Sequence, residues 1–218
     1  MSIGSNLQNI STLIFDLDGT ISDPSLGIGR CVNYALQAHG FPEISVDQVA
    51  AAIGPQLDEA LSKFCPGADQ ATRSSLVAKY RERYAEVGYS ENTIYPGVHE
   101  SLMELSAGGM LMGVCTSKRR DFAERILAMF GVLSHFQFVD GGDIGVKKRE
   151  QLAGLLQSTA IDHSAVMIGD RAVDISSAKA NGLRSVAVLW GFGDLAELHG
   201  AGADIVLRRT NELAQLGI

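Results

Sequence analysis

Two textures alternate along the chain. In the first, short apolar runs are followed by stretches with helical spacing. Residues 12–16, with Leu13, Ile14 and Phe15 in succession, predict a first strand. Residues 111–115 predict a second, followed by a helix over about 121–130, and 136–139 predict a short third. Residues 165–169 predict a fourth, followed by a helix over about 173–180, with further strands at 185–189 and 204–207. Continuous apolar runs suit strands buried on both faces of a parallel sheet. Strands alternating with helices imply right-handed crossovers. Gly131 and Gly182 stand where helix C-caps are expected.

The second texture fills about 24–92 and contains no convincing strand. Leu26, Ile28, Val32, Ala35 and Leu36 form one helical stripe. Val46, Val49 and Ile53 form another, with Ser45 as its N-cap. Leu57, Leu61 and Phe64 give a third stripe, and Leu76, Tyr80, Tyr84 and Val87 a fourth. The turn signal Tyr95-Pro96-Gly97 closes the block. The division is therefore an α/β body over 1–22 and 94–218 and a helical insert over 23–93. An insert after the first strand hangs over the carboxyl edge of the sheet, the position of a lid.

Composition narrows the class. The 218 residues suffice for one sizeable core and a small second unit, and 46% of them are hydrophobic, as in globular proteins. A net charge of -7 argues against nucleic acid as a partner. Cys31, Cys65 and Cys115 form neither a C-x-x-C pair nor a zinc spacing. An odd cysteine count in a chain of this size fits a reducing cytoplasm. Residues 1–5 show no basic stretch leading into an apolar one, so no secretory leader is expected. No apolar run is long enough to span a membrane.

The chemistry concentrates at strand ends. The first strand runs into Asp16-Leu17-Asp18-Gly19-Thr20. Acids at the carboxyl end of a parallel strand sit where open α/β sheets bind ligands, and Gly19 permits a sharp turn there. Two buried carboxylates need a cation or a proton to offset them, and hard oxygen donors favour Mg²⁺. Val114-Cys115 leads into Thr116-Ser117-Lys118, a hydroxyl and backbone N–H groups suited to a phosphoryl oxygen. Lys147-Lys148-Arg149 opens the stripe Leu152, Leu155, Leu156 and offers a point charge for a phosphate. Taken singly, these two segments read better as an ordinary helix N-cap and a solvated basic turn. Ile168-Gly169-Asp170-Arg171-Ala172-Val173-Asp174 ends a strand in G-D-x-x-x-D. It adds Asp170 as a third oxygen ligand and Asp174 as its neighbour, or else acids complementing a helix N-terminus.

The order and placement of these segments resemble the haloacid dehalogenase superfamily of phosphohydrolases. The resemblance spans essentially the whole chain, and the pairing of D-x-D-G-T with a late G-D-x-x-x-D is its specific element. It implies a Rossmann-like parallel-sheet core with an inserted four-helix-bundle cap. Phosphoglycolate phosphatase-like and 5′-nucleotidase-like members are nearest in texture, the latter through Ile53-Gly54-Pro55 and Trp190-Gly191-Phe192-Gly193. The K-P-x-P pattern of many relatives is absent, since Lys147-Lys148-Arg149-Glu150 has no proline.

Carried over to this chain, the resemblance makes Asp16 the nucleophile and Asp18 the general acid and base. Thr116 would bond a phosphoryl oxygen, and Lys148, preferred to Lys147, would balance its charge. Mg²⁺ would be held by Asp16, Asp170 and the backbone of Asp18, with Asp174 supporting the metal or orienting the lysine. Substrate contacts are expected from Ser117, Lys147 and the loop Gly54-Pro55-Gln56. Arg30 is a further candidate, and Lys118, Arg119 and Arg120 are read as added positive potential or a solvated helix start. Asp23 is assigned to the hinge, at the start of a helix. The substrate would be a small phosphorylated metabolite acted on by a monomer or weak dimer. A sugar phosphomutase and a non-catalytic phospho-ligand binding protein are the competing readings. Asp18 argues against a dehalogenase, and Cys115 has Asp121 where a cysteine phosphatase needs arginine.

Overall fold

Residues 9–50, 53, 57–142 and 145–217 are described by a computed structural model of the chain. Among them, six parallel strands form the central sheet. They are β1 (Thr12–Phe15), β4 (Leu111–Thr116), β5 (Val139–Gly141), β6 (Val166–Gly169), β7 (Arg184–Val188) and β8 (Ile205–Leu207), in the order β5-β4-β1-β6-β7-β8. The strand that carries Asp16 is therefore interior, with a neighbour on each side.

Alternation along the strands feeds two faces. Leu13, Phe15, Val114, Val166 and Ile168 pack with Leu102 and Leu105 of α5 (Val98–Ala107) and Ile126 and Leu127 of α6 (Arg120–Met129). Ile14, Cys115 and Met167 face Leu152 and Leu155 of α7 (Lys148–Gln157) and Ala178 of α8 (Ala172–Ala180). Ile175 joins Ala187 and Leu198 of α9 (Leu195–Ala201). Helices on both faces make the three-layer α/β body that the apolar runs required. Gly131 and Gly182 follow α6 and α8 with φ of 73° and 68°, the left-handed geometry in which glycine ends a helix.

One strand differs from expectation. The aromatic run at 136–139 predicted a strand there, but β5 begins at Val139 and pairs with Val114 to Thr116 of β4. Ahead of it the backbone already bonds to β4, Gln137 N–H to the Met112 carbonyl at 2.8 Å and Val114 N–H to the Phe138 carbonyl at 3.0 Å, while the Phe136 and Phe138 rings act as packing groups. Phe136 meets Phe15 edge to face at 6.0 Å. Phe138 fills the space that a side chain at Gly113 would take.

Between β1 and α5 the chain makes a helical excursion. It leaves through β2 (Ser22–Asp23) and returns through β3 (Thr93–Ile94), which pair antiparallel as Ser22 with Ile94 and Asp23 with Thr93. Asp23 Oδ1 accepts the Ser25 N–H at 2.8 Å and so starts α1 (Ser25–Ala38). The short α2 (Val46–Val49), α3 (Leu57–Phe64) and the long α4 (Gln70–Glu86) follow. Among the described residues the second stripe supplies the four helical residues of α2, and Gln48 Oε1 accepts the Ser45 N–H at 2.9 Å. Val32, Leu36, Ile53, Leu61, Leu76 and Tyr84 form a separate apolar core, which also takes in Phe122 of α6. Among the described residues, no helix is long and apolar enough to cross a membrane.

Candidate active site

Strand register brings the acids together. Phe15 pairs with Val114 on one side and Ile168 on the other, so Asp16, Thr116 and Asp170 all emerge just past the same level. The Asp16 N–H donates to the Ile168 carbonyl at 2.9 Å, which carries the ladder one residue past β1. Asp174 stands in the first turn of α8, where its Oδ2 accepts the Arg171 N–H at 3.0 Å. Oxygens of Asp16, Asp170 and Asp174 lie within 4.8 Å of one another, and all three residues are buried.

One cation answers them. Lys148 is buried at the start of α7, with Nζ 3.0 Å from Asp16 Oδ1 and hydrogen-bonded to Asp174 Oδ1. Burial disfavours its charge, but the Asp16 and Asp174 carboxylates outweigh that and push its pKa well up. Lys147 is exposed, so the geometry separates the two lysines as the sequence could not. Three carboxylates against one ammonium leave the cluster short of positive charge. Burial, then Asp174 and Asp16, push the Asp170 carboxyl up to about 8. Burial raises Asp174 to about 6 against the pull of Lys148.

These residues fit a divalent cation. The donors are hard oxygens, and among the described residues buried Asp16 Oδ1 has the Lys148 ammonium at 3.0 Å beside it but makes no well-aligned hydrogen bond. The backbone closes tightly around Asp170. Gly19, with φ of 87°, and Gly191 sit so close that a Cβ at either would stand within 2.4 Å of Asp170 Oδ2. The Phe192 N–H donates to that oxygen at 2.8 Å and Thr20 Oγ1 to the other at 3.4 Å. Trp190 Nε1 donates to the Thr20 carbonyl at 2.9 Å, which ties the segment Trp190-Gly191-Phe192-Gly193 to the acidic loop.

Asp18 stands apart from this set. Its Oδ2 is 2.7 Å from Lys118 Nζ, while its Oδ1 is buried without a partner. Its carboxylate faces a lysine of its own and is not one of the three clustered acids. Burial raises its pKa, and the Lys118 ammonium pulls it back. Thr116 is buried at the end of β4; its hydroxyl oxygen accepts the Lys118 N–H at 3.3 Å, leaving the hydroxyl proton available. Gln151 of α7 donates to the Thr116 carbonyl at 3.1 Å and fixes that strand end.

A cleft of about 600 Å³ opens beside Lys148. Val173, Ser176 and Ala180 of α8 form one wall of it with Arg171, Ser117, Lys147, Arg149 and Glu197 also lining it, and Glu59 of α3 lines it from the helical excursion. Arg171 crosses between the two layers. Its Nη1 donates to the Ile53 carbonyl and its Nε to Glu197 Oε1, both at 2.9 Å. The loop Gly54-Pro55-Gln56 lies outside the described residues, between Ile53 and Leu57.

Several basic residues do not serve the site. Arg30, an expected specificity residue, is 55% exposed and paired with Glu91 at 2.6 Å. Arg119 and Arg120 are paired with Asp121 and Glu124. The positive potential expected of Arg119 and Arg120 is met locally by acids. Lys118 alone of its segment turns inward. Sequence reasoning missed Tyr84, Arg171 and Glu197 as site neighbours. The residue after Asp170 in G-D-x-x-x-D was the available signal for Arg171; the other two carried none.

Comparison with known proteins accords with this geometry. Residues 13–188 match the model of the haloacid dehalogenase-like hydrolase family. A 5′-nucleotidase of Pseudomonas aeruginosa is 36% identical over 85% of this chain and 86% of its own length. A phosphoglycolate phosphatase of Vibrio parahaemolyticus is 31% identical over 96% of both chains. The tyrosine-protein kinase PtkA of Mycobacterium tuberculosis is 34% identical over 83% of this chain, which spans 62% of that protein's length. The solved PtkA chain superposes with a TM-score of 0.81 at 28% identity, covering 97% of this chain and 100% of the solved one.

Proposed function

The chain belongs to the haloacid dehalogenase-like hydrolases, and from that premise we propose that it is a Mg²⁺-dependent phosphatase of small phosphorylated metabolites, working through an aspartyl-phosphate. The observation that carries this reading is the buried set Asp16, Asp170 and Asp174 with, among the described residues, only Lys148 to offset it, beside Asp18 on the same sheet edge. Asp16, Asp170 and the backbone carbonyl of Asp18 would hold the metal, with Asp174 orienting Lys148. When bound, Mg²⁺ supplies the charge that lets one anion approach another.

The chain's own groups do the rest. An Asp16 oxygen bonds to phosphorus as the ester P–O bond breaks, and the electron pair of that bond passes to the leaving oxygen. Asp18 gives that oxygen its proton. Asp18, now a carboxylate, takes a proton from water, and the hydroxyl displaces Asp16 from phosphorus to release phosphate. Thr116 and Lys148 bind the phosphoryl oxygens, since phosphoryl transfer depends mainly on positioning and charge. Substrate contacts are assigned to Ser117, Lys147 and Arg171, which line the cleft beside Lys148. The helices of 23–93 act as a cap over it, hinged at the β2–β3 ribbon. The names of the P. aeruginosa and V. parahaemolyticus relatives support nucleotides and phosphoglycolate as first substrates to test. Three free cysteines, all buried, support a reducing compartment, the cytoplasm.

The test is hydrolysis of p-nitrophenyl phosphate and a panel of phosphorylated metabolites, with EDTA and with restored Mg²⁺. Turnover should require Mg²⁺, and folded Asp16→Asn should lose about four orders of magnitude or more. A folded Asp16→Asn protein with wild-type rates, or full activity in EDTA, would overturn the reading.

A further inference from the structure

We propose that Lys118 is a positioning residue for Asp18, and that Tyr84 makes this positioning depend on the seating of the helices above. The proposal rests on the role of Asp18 given above. Lys118 follows β4 two residues after Thr116, and its side chain is only 8% exposed. Its Nζ lies 2.7 Å from Asp18 Oδ2 and donates to the Tyr84 hydroxyl oxygen at 2.7 Å. It also stands 4.8 Å from the centre of the Tyr84 ring, within reach of a cation–π attraction. An ammonium has three protons; here two are directed, one to the sheet edge and one to α4.

The consequence falls on the other oxygen of Asp18. A carboxyl group is planar, so holding Oδ2 fixes where Oδ1 points. That oxygen is buried and has no partner among the described residues, which leaves it free to face a leaving group. The two buried lysines thus divide the acids between them. Lys148 serves the clustered set, and Lys118 serves the acid that handles the proton.

Tyr84 is itself held firmly. It stacks on Tyr80 at 5.5 Å and meets Phe122 of α6 edge to face at 5.1 Å. Its hydroxyl can reach Lys118 only while α4 sits against the sheet edge. Displacing α4 removes one of the two anchors of Lys118 and frees Asp18 to turn. In this arrangement the proton donor is in place only beneath a seated helix.

The experiment compares wild type, Lys118→Met, Lys118→Arg and Tyr84→Phe in Mg²⁺, on p-nitrophenyl phosphate and on an alkyl phosphate. Nitrophenolate leaves without a proton, whereas an alkoxide needs one. Lys118→Met should lower kcat about a hundredfold on the alkyl phosphate, within the range of general acid help. On p-nitrophenyl phosphate the loss should be much smaller, and KM should stay near wild type on both. Lys118→Arg should recover part of the loss. Tyr84→Phe, which keeps the ring packing, should show the same pattern more weakly and serves if Lys118→Met does not fold. Equal losses on both esters, or a raised KM with kcat unchanged, would overturn the proposal and make Lys118 a substrate ligand. A wild-type ratio in Tyr84→Phe would overturn the dependence on α4. Wild type inactive on both esters would count against the phosphatase reading instead. The crystal structure of either variant then decides separately: Asp18 should turn while Asp16, Lys148 and Asp174 stay, and an unmoved Asp18 would overturn the proposal.

Discussion

The helices of the excursion and the carboxyl edge of the sheet are equally well buried, and they achieve it by opposite means. Around Leu36, Leu61 and Leu76, each side chain asks only for shape and exclusion of water. At the sheet edge, Asp16, Asp170, Asp174 and Lys148 are as deeply enclosed, but each sets the charge state of the others. The first region stabilises the fold under all ordinary conditions. The second is a cost to the fold that a cation or a proton must offset. Regions that look alike in burial therefore differ in what they respond to: one to volume, the other to metal and pH.

The sharpest way to break this contrast is Asp170→Asn. The amide keeps an oxygen for the Phe192 N–H but cannot lose a proton to become a carboxylate ligand for a cation. Activity should fall about 10²–10³-fold or more. The metal-free protein should melt no lower than wild type, and Mg²⁺ should raise the melting temperature of wild type but not of the variant. Calorimetry with and without Mg²⁺ checks both halves. Leu76→Ala in the excursion should do the reverse. Leu76 is fully buried, so its truncation should cost about 2–5 kcal/mol of stability. Turnover of p-nitrophenyl phosphate below the melting transition should stay close to wild type.

Titration sharpens the contrast on a smaller scale. Burial and two neighbouring acids push Asp170 up to about 8, against a usual carboxylate value near 3.8. Between those values the folded protein holds a proton that the unfolded chain has released. Metal-free stability should therefore fall as pH rises through that window. Mg²⁺ displaces the proton and should flatten or reverse the trend. Melting temperatures from about pH 5 to about pH 9, in EDTA and in Mg²⁺, would show it. A metal-free profile that rises with pH would contradict the assignment. The smallest effect is expected from Arg30→Ala. It removes an exposed ion pair worth about 1 kcal/mol or less, and substrate preference should not change, because Arg30 faces Glu91 and not the cleft.

What the sequence revealed follows the same division. Strands β1, β4 and β6 were legible because interior parallel strands are apolar on both faces, and the acids at their ends are adjacent to those runs in the chain. Strand β5 was read a few residues too early because Phe136 and Phe138 carry a strand-like composition while their rings serve as wedges against Phe15 and Gly113. Tyr84 reads as one more member of a helical stripe. Nothing in a stripe says that a hydroxyl meets a lysine 34 residues away. The inward turn of Lys118 was equally hidden, since Arg119 and Arg120 beside it find their acids within their own helix. Local pattern reports burial well. It does not report which of several like charges a distant element will claim.

The β2–β3 ribbon has a topological consequence. The chain departs at Ser22 and Asp23 and returns at Thr93 and Ile94, on paired strands. Residues 24–92 are therefore a closed detour whose two ends are a single strand spacing apart. Its closure is paid for once, by the ribbon, and grows only slowly with the length of the detour. No strand of the central sheet takes its register from anything inside it. A detour of this kind can be lengthened, shortened or exchanged for a two-residue turn across Asp23 and Thr93 while every pairing of the sheet stays as it is.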